Sequence, residues 1–477
     1  MLVSLTYLFF LSIVLIIFYN SPTSWRLILL LIASLFFLGF YHFYSVLFLL
    51  GLTTFTLFIG KLLQDSVEKK VVSKTIFYFG LSVHLFFLFG LKYIEINAQG
   101  LGLNIDSGTF QTHTFFVALG ISFYTLQNIS YLIEIYLGRI KEEKNYLAFF
   151  TYNAFFPKLI SGPIEPTRSF LPQLKSLDIS FDWGNFNYGI QRIFIGFFKK
   201  MVLSDRLLPL VENTFGLETP ATGLTCWVGI CLFTLQLYFD FSGYMDIALG
   251  SARLFGLKLS ENFNYPLRAT SIADFWRKWH ITLLNWLTQY LYYPIVYRFR
   301  QWKKVSVIFA LTVVFLLSGI WHGIGWTFLM WSLCHIIYLS VEVITKSYRV
   351  KLSQKTPSGF YTFFSIFITF NLVCLGQLFF RASSLENIIS LLKRVFSFPI
   401  LEHRTFFVYL AGGGTQEHMF NIYSTFILVA LFLFFEKRIC EHFFSEDLKI
   451  FSLFLGILLL LIFGIFNSGA QFIYLQF

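Results

Sequence analysis

The chain alternates between long apolar runs and short polar segments that carry most of its lysines and arginines. A helix needs roughly 20 apolar residues to cross the hydrocarbon core of a bilayer, and runs of about that length recur from Leu2 to Phe466. The pattern predicts an all-α, polytopic membrane protein in which residues 1–477 form a single integral-membrane domain. Candidate spans lie near residues 2–19, 26–42, 44–62, 75–95, 114–136, 146–163, 187–203, 223–250, 305–320, 323–344, 359–380, 419–436 and 450–467.

The segments between the spans predict the orientation of the chain. The first apolar run has no basic residues before it and no small-residue cleavage site, so we expect a retained span rather than a signal peptide. Lys61 to Lys74 is basic, whereas Ala98 to His113 contains no lysine or arginine. The positive-inside rule places the first segment in the cytoplasm and the second outside, and therefore predicts an external N-terminus.

The composition supports a location in the membrane and argues against nucleic acid binding, a metal site and disulfide bonds. Of the 477 residues, 56% are hydrophobic and only 13% are charged, and 64 are phenylalanine. The net charge of +11 resides in short segments between spans, which is typical of topology signals and gives no reason to expect nucleic acid binding. The five cysteines form no CxxC pair, so we expect neither a metal site nor a disulfide framework.

The segment from Arg253 to Lys304 mixes aromatic and charged residues and does not resemble an ordinary span. A 4-3-4 spacing places Trp276, His280, Leu283 and Leu287 on one face of a helix. The same spacing places Lys278, Thr282, Asn285 and Gln289 on the opposite face. We therefore predict a re-entrant or interfacial amphipathic helix. Its cytoplasmic location follows from the flanking cations Arg268, Arg277, Lys278, Arg298, Arg300, Lys303 and Lys304.

Two histidines lie in apolar surroundings. His280 is on the apolar face of the predicted amphipathic helix, and His322 lies between two uncharged apolar runs. Polar groups at membrane depth usually face an interior cavity, which makes both histidines functional candidates. Each could instead only bond a neighbouring helix. The glycines at 319, 323 and 325 are compatible with close approach of a ligand or with ordinary helix packing.

A second polar cluster interrupts the apolar run from Gln236 to Gly250. Its members are Asp240, Ser242, Tyr244 and Asp246. Two carboxylates within one span must line water or meet a cation, and Arg253 is a candidate partner. We favour a structural ion-pair cluster over direct catalysis, and both interpretations stay open.

Three common catalytic motifs are missing from the sequence. It contains no Gly-rich phosphate loop, no HExxH and no GxSxG, so nucleotide hydrolysis and serine-hydrolase chemistry have no support. What remains is a buried base without a nucleophile of its own. Such a base would take a proton from a substrate hydroxyl, which would then attack an activated acyl carbonyl.

Several stretches together resemble the membrane-bound O-acyltransferase family. They are ALGISFYTLQNISYLIEIYLG from Ala118, FFPKLISGPIEP from Phe155, the segment from Gln236 to Leu283 with its WRKWH, LLSGIWHGIGWTFLMWSLCH from Leu316, and the terminal FIYLQF. The resemblance is to the bacterial branch, which includes the alginate O-acetylation membrane subunit and the teichoic acid D-alanyltransferase. It implies a multi-helix bundle around a central chamber, in the bacterial cell membrane.

The resemblance also implies roles for individual residues. His322 would be the catalytic histidine and His280 the second functional histidine. The candidate substrate-binding residues are Trp276, Arg277, Lys278, Trp321, Asp240 and Tyr244. A cationic rim formed by Arg268, Trp276, Arg277 and Lys278 would attract a phosphate-bearing donor or carrier, or else would anchor the helix against lipid headgroups.

The implied reaction moves an acyl group, acetyl by preference, from a cytoplasmic thioester such as acetyl-CoA or an acyl carrier. The acceptor would be a hydroxyl of an exported polysaccharide or cell-wall glycan, reached directly or through a secreted or membrane-anchored acetyltransferase partner. No bound cofactor is expected. The alternatives are D-alanyl transfer toward teichoic acid and transport of lipid-linked sugars. A transporter would be favoured by inverted repeats, and the sequence has no clear internal repeat.

Overall fold

The computed structural model describes residues 2–68, 73–90, 93, 119–216, 223–323, 325–396, 416–443 and 450–465. Within these ranges the regular structure is helical, apart from one isolated antiparallel bridge between Phe263 and Trp279. The all-α prediction is therefore confirmed. The segment predicted to be external, residues 98–113, and the terminal FIYLQF lie outside the described residues, as do residues 69–72 of the basic segment.

The helices follow the apolar runs closely. They are α1 (Leu5–Asn20), α2 (Thr23–Tyr41), α3 (Phe43–Glu68), α4 (Ser73–Leu85), α5 (Ile121–Tyr136), α6 (Tyr146–Ala154), α7 (Thr167–Lys175), α8 (Trp183–Phe197), α9 (Asp205–Phe215), α10 (Gly223–Leu254), α11 (Ile272–Lys278), α12 (Ile281–Leu287), α13 (Tyr293–Arg298), α14 (Lys304–His322), α15 (Trp326–Lys355), α16 (Ser358–Arg381), α17 (Leu385–Val395), α18 (Gln416–Phe443) and α19 (Ile450–Phe463). Short π-helical segments extend α4 (Phe86–Gly90), α8 (Phe198–Ser204) and α12 (Thr288–Tyr292).

Six helices among the described residues are long and apolar enough to cross a membrane. They are α2, α3 over Phe43–Ser66, α10, α14, α15 and α16. Their outer faces expose large apolar side chains such as Phe36, Ile344 and Phe363, which are 61%, 59% and 65% exposed. Lipid tails cover such side chains in a bilayer, whereas water would not. The prediction of a multi-pass membrane protein is confirmed.

One predicted span, residues 146–163, is wrong. α6 ends at Ala154, and a helix of nine residues reaches only about 14 Å, well short of the hydrocarbon thickness. Pro157 explains the break, because proline lacks the amide proton that a continuing helix needs and disfavours helical geometry in the residue before it. The chain then turns rather than crossing, although its residues are buried.

Contacts within the chain define two compact units. The first comprises Met1–Ile193 and Ile247–Ser260, and in it the buried Lys158 donates a hydrogen bond to the side chain of Gln127 over 2.7 Å. The second comprises Phe194–Asp246 and Glu261–Phe477. All the predicted site residues belong to the second unit. The assignment of residues 1–477 to one functional domain stays a prediction.

Candidate active site

The segment that carries His280 is not the continuous amphipathic helix that its spacing predicts. α11 ends at Lys278, Trp279 is extended, and α12 begins at Ile281. The break arises because the backbone around His280 pairs with a distant segment, through Asn264 N–H to the Lys278 carbonyl and Ile281 N–H to the Asn262 carbonyl, both at 3.0 Å. The predicted apolar face is nevertheless buried throughout, at Trp276, His280, Leu283 and Leu287.

His280 adopts a left-handed backbone conformation, with φ of 45°. This region is uncommon for residues other than glycine and is enriched at functional sites. Asn262 supports the conformation, because its Oδ1 accepts hydrogen bonds from the backbone N–H of Thr282 at 2.9 Å and its hydroxyl at 3.0 Å. The same oxygen lies 3.3 Å from His280 Nδ1. A neutral His280 ring therefore carries its proton on Nδ1, which leaves Nε2 as the basic nitrogen.

His322 is the last residue of α14, and its side chain is buried. Aromatic rings surround the imidazole: Trp321 lies 4.7 Å away between ring centroids, Phe380 5.1 Å and Trp331 5.3 Å. This enclosure limits the access of water to the imidazole. The imidazole of His322 thus lies in an apolar environment.

The glycines beside His322 serve helix packing at two of three positions. A side chain at Gly319 would overlap Ser332, and one at Gly323 would overlap the ring of Phe328, both on α15. The absence of side chains lets α14 and α15 approach closely. At Gly325 an added Cβ would meet its nearest atom, a ring carbon of Phe328, at 3.8 Å, which is ordinary van der Waals contact, so close packing does not require a glycine there.

Trp321 connects the two candidate histidines. Its ring centroid lies 4.7 Å from that of His322 and 6.3 Å from that of His280. Phe241 of α10 also packs edge-on against the His280 ring, with centroids 4.9 Å apart. Three of the predicted site residues therefore form one buried group, the histidine cluster, which consists of His280, Trp321 and His322.

Asp240 belongs to a buried ion-pair network, as the favoured interpretation of the sequence predicts. The Lys200 ammonium lies 2.7 Å from a carboxylate oxygen of Asp240 and 2.7 Å from one of Asp205. Lys199 pairs with Asp246 at 2.8 Å. Tyr244 is buried one turn after Asp240 on α10.

Arg253 is not the cation that meets these carboxylates. Its guanidinium lies over the ring of Tyr188, 5.3 Å from the centroid. The true partners, Lys199 and Lys200, were missed by the sequence analysis. They were detectable, since two adjacent lysines inside an apolar run need buried carboxylates just as the carboxylates need them.

The predicted cationic rim divides into residues that face in and residues that face out. Trp276 is buried, whereas the side chain of Arg277 is 68% exposed and that of Lys278 27% exposed. Asp274 accepts from both cations, at 3.4 Å from Arg277 and 2.8 Å from Lys278. One carboxylate thus neutralises part of the rim, and its two cations do not join the histidine cluster.

His335 is a further buried histidine that the sequence-based predictions do not include. The Trp276 indole N–H donates to His335 Nδ1 over 3.2 Å, and His335 is completely buried. Its sequence environment satisfies the criterion that selected His322, a histidine in an uncharged apolar run. His335 lacks the neighbouring glycines that distinguish His322.

The model of the membrane-bound O-acyltransferase family matches residues 30–384, which include the whole histidine cluster. A protein of Azotobacter vinelandii named "Probable alginate O-acetylase AlgI" is 34% identical over 394 residues, covering 82% of this chain and 76% of the relative. The peptidoglycan O-acetyltransferase of Helicobacter pylori is 33% identical over 397 residues, covering 78% of this chain and 73% of the relative. The teichoic acid D-alanyltransferase of Bacillus subtilis is 28% identical over 285 residues, covering 58% of this chain and 71% of the relative.

Proposed function

The chain belongs to the membrane-bound O-acyltransferase family, and from that premise we propose that it transfers an acetyl group from a cytoplasmic thioester to a hydroxyl of an exported glycan. It is an O-acyltransferase of the bacterial cell membrane. The donor, the acceptor and the residue roles below are the proposal. The observation that carries them is the burial of His322 and His280 with both rings in contact with Trp321.

His322 acts as the general base. An imidazole nitrogen removes the proton from the acceptor hydroxyl, and the oxygen attacks the carbonyl carbon of the thioester. The carbon–sulfur bond then breaks, and the imidazolium returns the proton to the leaving thiolate. The acyl group passes from sulfur to oxygen and a proton from oxygen to sulfur, so no other reactant is needed. Base catalysis of this kind contributes about 10²–10⁴-fold, and holding both substrates together supplies more.

His280 orients the acceptor. Its proton is held on Nδ1 by Asn262, which leaves Nε2 to accept a hydrogen bond from a sugar hydroxyl. The aromatic rings around both histidines exclude water, which protects a thioester from hydrolysis while the acceptor enters.

Acetyl is favoured over D-alanyl by the pattern of similarity. The Azotobacter vinelandii and Helicobacter pylori relatives, both named for O-acetylation, share 33–34% identity with this chain over about four fifths of its length, whereas the D-alanyltransferase of Bacillus subtilis shares 28% over 58% of it. An exported acceptor requires that the acyl group cross the membrane. The final transfer is made directly or by a secreted or membrane-anchored partner protein.

The donor can be identified in inside-out membrane vesicles that contain the protein and glycan acceptor. We expect radiolabelled acetyl-CoA, added to the exposed cytoplasmic face, to yield an alkali-labile acetate ester on the glycan. A D-alanyl thioester of a carrier protein should yield no ester. Labelling from the carrier alone would favour D-alanyl transfer. Transfer of label from neither donor to the glycan or to any partner protein, in vesicles that hold folded protein and the partner, would contradict the proposal.

If the cationic rim binds a phosphate-bearing donor, charge reversal should weaken donor binding. We expect the double variant Arg277→Glu, Lys278→Glu to raise the KM for acetyl-CoA by about threefold to tenfold at low ionic strength, with less effect at high salt. The KM for the acceptor should stay unchanged. The effect is limited because Asp274 already neutralises part of the rim.

The matched control reverses the charge of two exposed lysines at the end of α15, in the double variant Lys351→Glu, Lys355→Glu. It makes the same change in net charge at a different place. Equal effects of the two double variants on donor KM would mean that only the overall field matters. No effect of either, or a change confined to the acceptor KM, would show that Arg277 and Lys278 merely anchor the protein at the lipid headgroups.

A further inference from the structure

Helix α15 presents one face to the histidine cluster. Trp331, His335 and Glu342 are four and seven residues apart, a spacing that places them along the same side of a helix. Trp331 packs edge-on against His322, with ring centroids 5.3 Å apart. Both His335 and Glu342 contact α11, the short helix that precedes His280. A single rigid helix therefore touches the elements that carry both candidate histidines.

Glu342 holds the start of α11. Its two carboxylate oxygens accept hydrogen bonds from the backbone N–H groups of Ile272 at 2.6 Å and Ala273 at 3.2 Å. The first N–H groups of a helix have no partner within the helix, so an acceptor there fixes the helix end. A carboxylate is also the favoured charge at that end.

His335 holds α11 one turn further along. Its Nδ1 accepts from the Trp276 indole N–H over 3.2 Å, and the two rings meet edge-on at 5.0 Å. A neutral ring that accepts at Nδ1 carries its proton on Nε2. Within the described part of the chain that buried Nε2 has no hydrogen-bond partner. An apolar residue would remove this unpaired N–H but would leave the Trp276 N–H without its acceptor, so the histidine is accounted for by its bond to α11 rather than by packing alone.

We propose that His335 and Glu342 are positioning residues that clamp α11 to α15 and thereby set the distance between His280 and His322. The inference rests on the proposed function, because it assigns these contacts a role in the same reaction. Neither residue touches the reacting atoms. Displacement of a catalytic group by about 1 Å can lower the rate roughly 10²-fold, so we expect kcat to depend on both contacts more than KM does.

The test combines hydrogen exchange with kinetics on the full-length protein in lipid nanodiscs. His335→Leu removes the acceptor for Trp276, whereas His335→Asn keeps an oxygen near the position of Nδ1. Glu342→Ala removes the acceptor for α11, whereas Glu342→Gln keeps one. The control is Thr345→Ala, since the Thr345 hydroxyl donates to the Val341 carbonyl of its own helix.

We expect faster backbone exchange over residues 269–283 in His335→Leu and Glu342→Ala, by about tenfold, with exchange elsewhere unchanged. The kcat for acyl transfer should fall about 10-fold to 100-fold in the same two variants. His335→Asn and Glu342→Gln should recover most of both losses. His335→Leu should melt within a few degrees of the wild type, because it removes one unpaired buried N–H and creates another at Trp276.

Unchanged exchange over residues 269–283 in both disruptive variants would overturn the proposal. Faster exchange with kcat at the wild-type level would overturn it as well, because α11 would then move without consequence for the chemistry. Exchange that rises equally along the whole chain would indicate general destabilisation and would also contradict it. If the wild-type protein transfers no acyl group, the proposed function fails, and the exchange data still decide whether the clamp exists.

Discussion

Replacing His322 with alanine is expected to lower kcat for acyl transfer by about 10²–10⁴-fold, because the reaction loses the base that deprotonates the acceptor hydroxyl. The KM values for donor and acceptor should change little, since a base acts mainly in the transition state. The measurement is steady-state transfer of labelled acetate by purified protein in proteoliposomes, with donor and acceptor varied separately.

His322→Gln is the matched variant for that experiment. Glutamine is polar and fills part of the same space between Trp321 and Phe380, but it cannot accept a proton at neutral pH. It should be nearly as inactive as His322→Ala while unfolding at the temperature of the wild type. Activity within a few fold of the wild type in His322→Gln would show that His322 contributes packing or hydrogen bonding rather than base catalysis.

Replacing Lys200 with methionine is expected to destabilise the protein by about 3–5 kcal/mol, because removal of one partner leaves buried charge uncompensated. The effect should be large here, since a single ammonium serves the carboxylates of both Asp205 and Asp240. Thermal unfolding in detergent and the amount of protein retained in membranes measure the loss.

Two variants isolate the charge at this position. Asp240→Asn removes one carboxylate but leaves Lys200 paired with Asp205, so it should cost much less than Lys200→Met. The triple variant Lys200→Met, Asp205→Asn, Asp240→Asn removes all three charges and should recover much of the lost stability. If Asp240→Asn were as damaging as Lys200→Met, or if the triple variant recovered nothing, the shared ion pair would not be the source of the stability.

The membrane spans could be predicted because the signal lies in each segment itself. A long apolar run in lipid has to form a helix, since no other local structure satisfies its backbone polar groups. α14 and α16 therefore appear within a few residues of their predicted bounds. The one clear failure, residues 146–163, is a run whose average hydropathy conceals Pro157, and the local proline effect outweighs the apolar composition.

The break at His280 could not be predicted from periodicity. The residues on both sides of it show good helical spacing, and the break depends on pairing with Asn262 and Asn264, more than a dozen residues earlier in the chain. Tertiary hydrogen bonds override local propensity in this way. The predicted apolar face is still buried on both sides of the break, but Thr282 of the predicted polar face is buried too, because it bonds Asn262.

The partners of the candidate residues were harder to find than the residues themselves. His322 and Asp240 stand out as polar groups in apolar runs, but a single sequence does not show which distant side chain meets them. Lys200 precedes Asp240 by 40 positions and His335 follows Trp276 by 59. Only folding brings these pairs together, so the pairing of Lys200 with Asp240 and of His335 with Trp276 became visible with the structure.

The acetyl ester content of the exported glycan, measured in cells that lack the native gene and carry it on a plasmid, tests the central claim most directly. The wild-type gene should restore the esters. The His322→Ala gene should leave them at the background of the deletion strain, although immunoblotting finds equal amounts of both proteins in the membrane. Esters at the wild-type level in cells that make only the His322→Ala protein would contradict the assignment of His322 as the catalytic base.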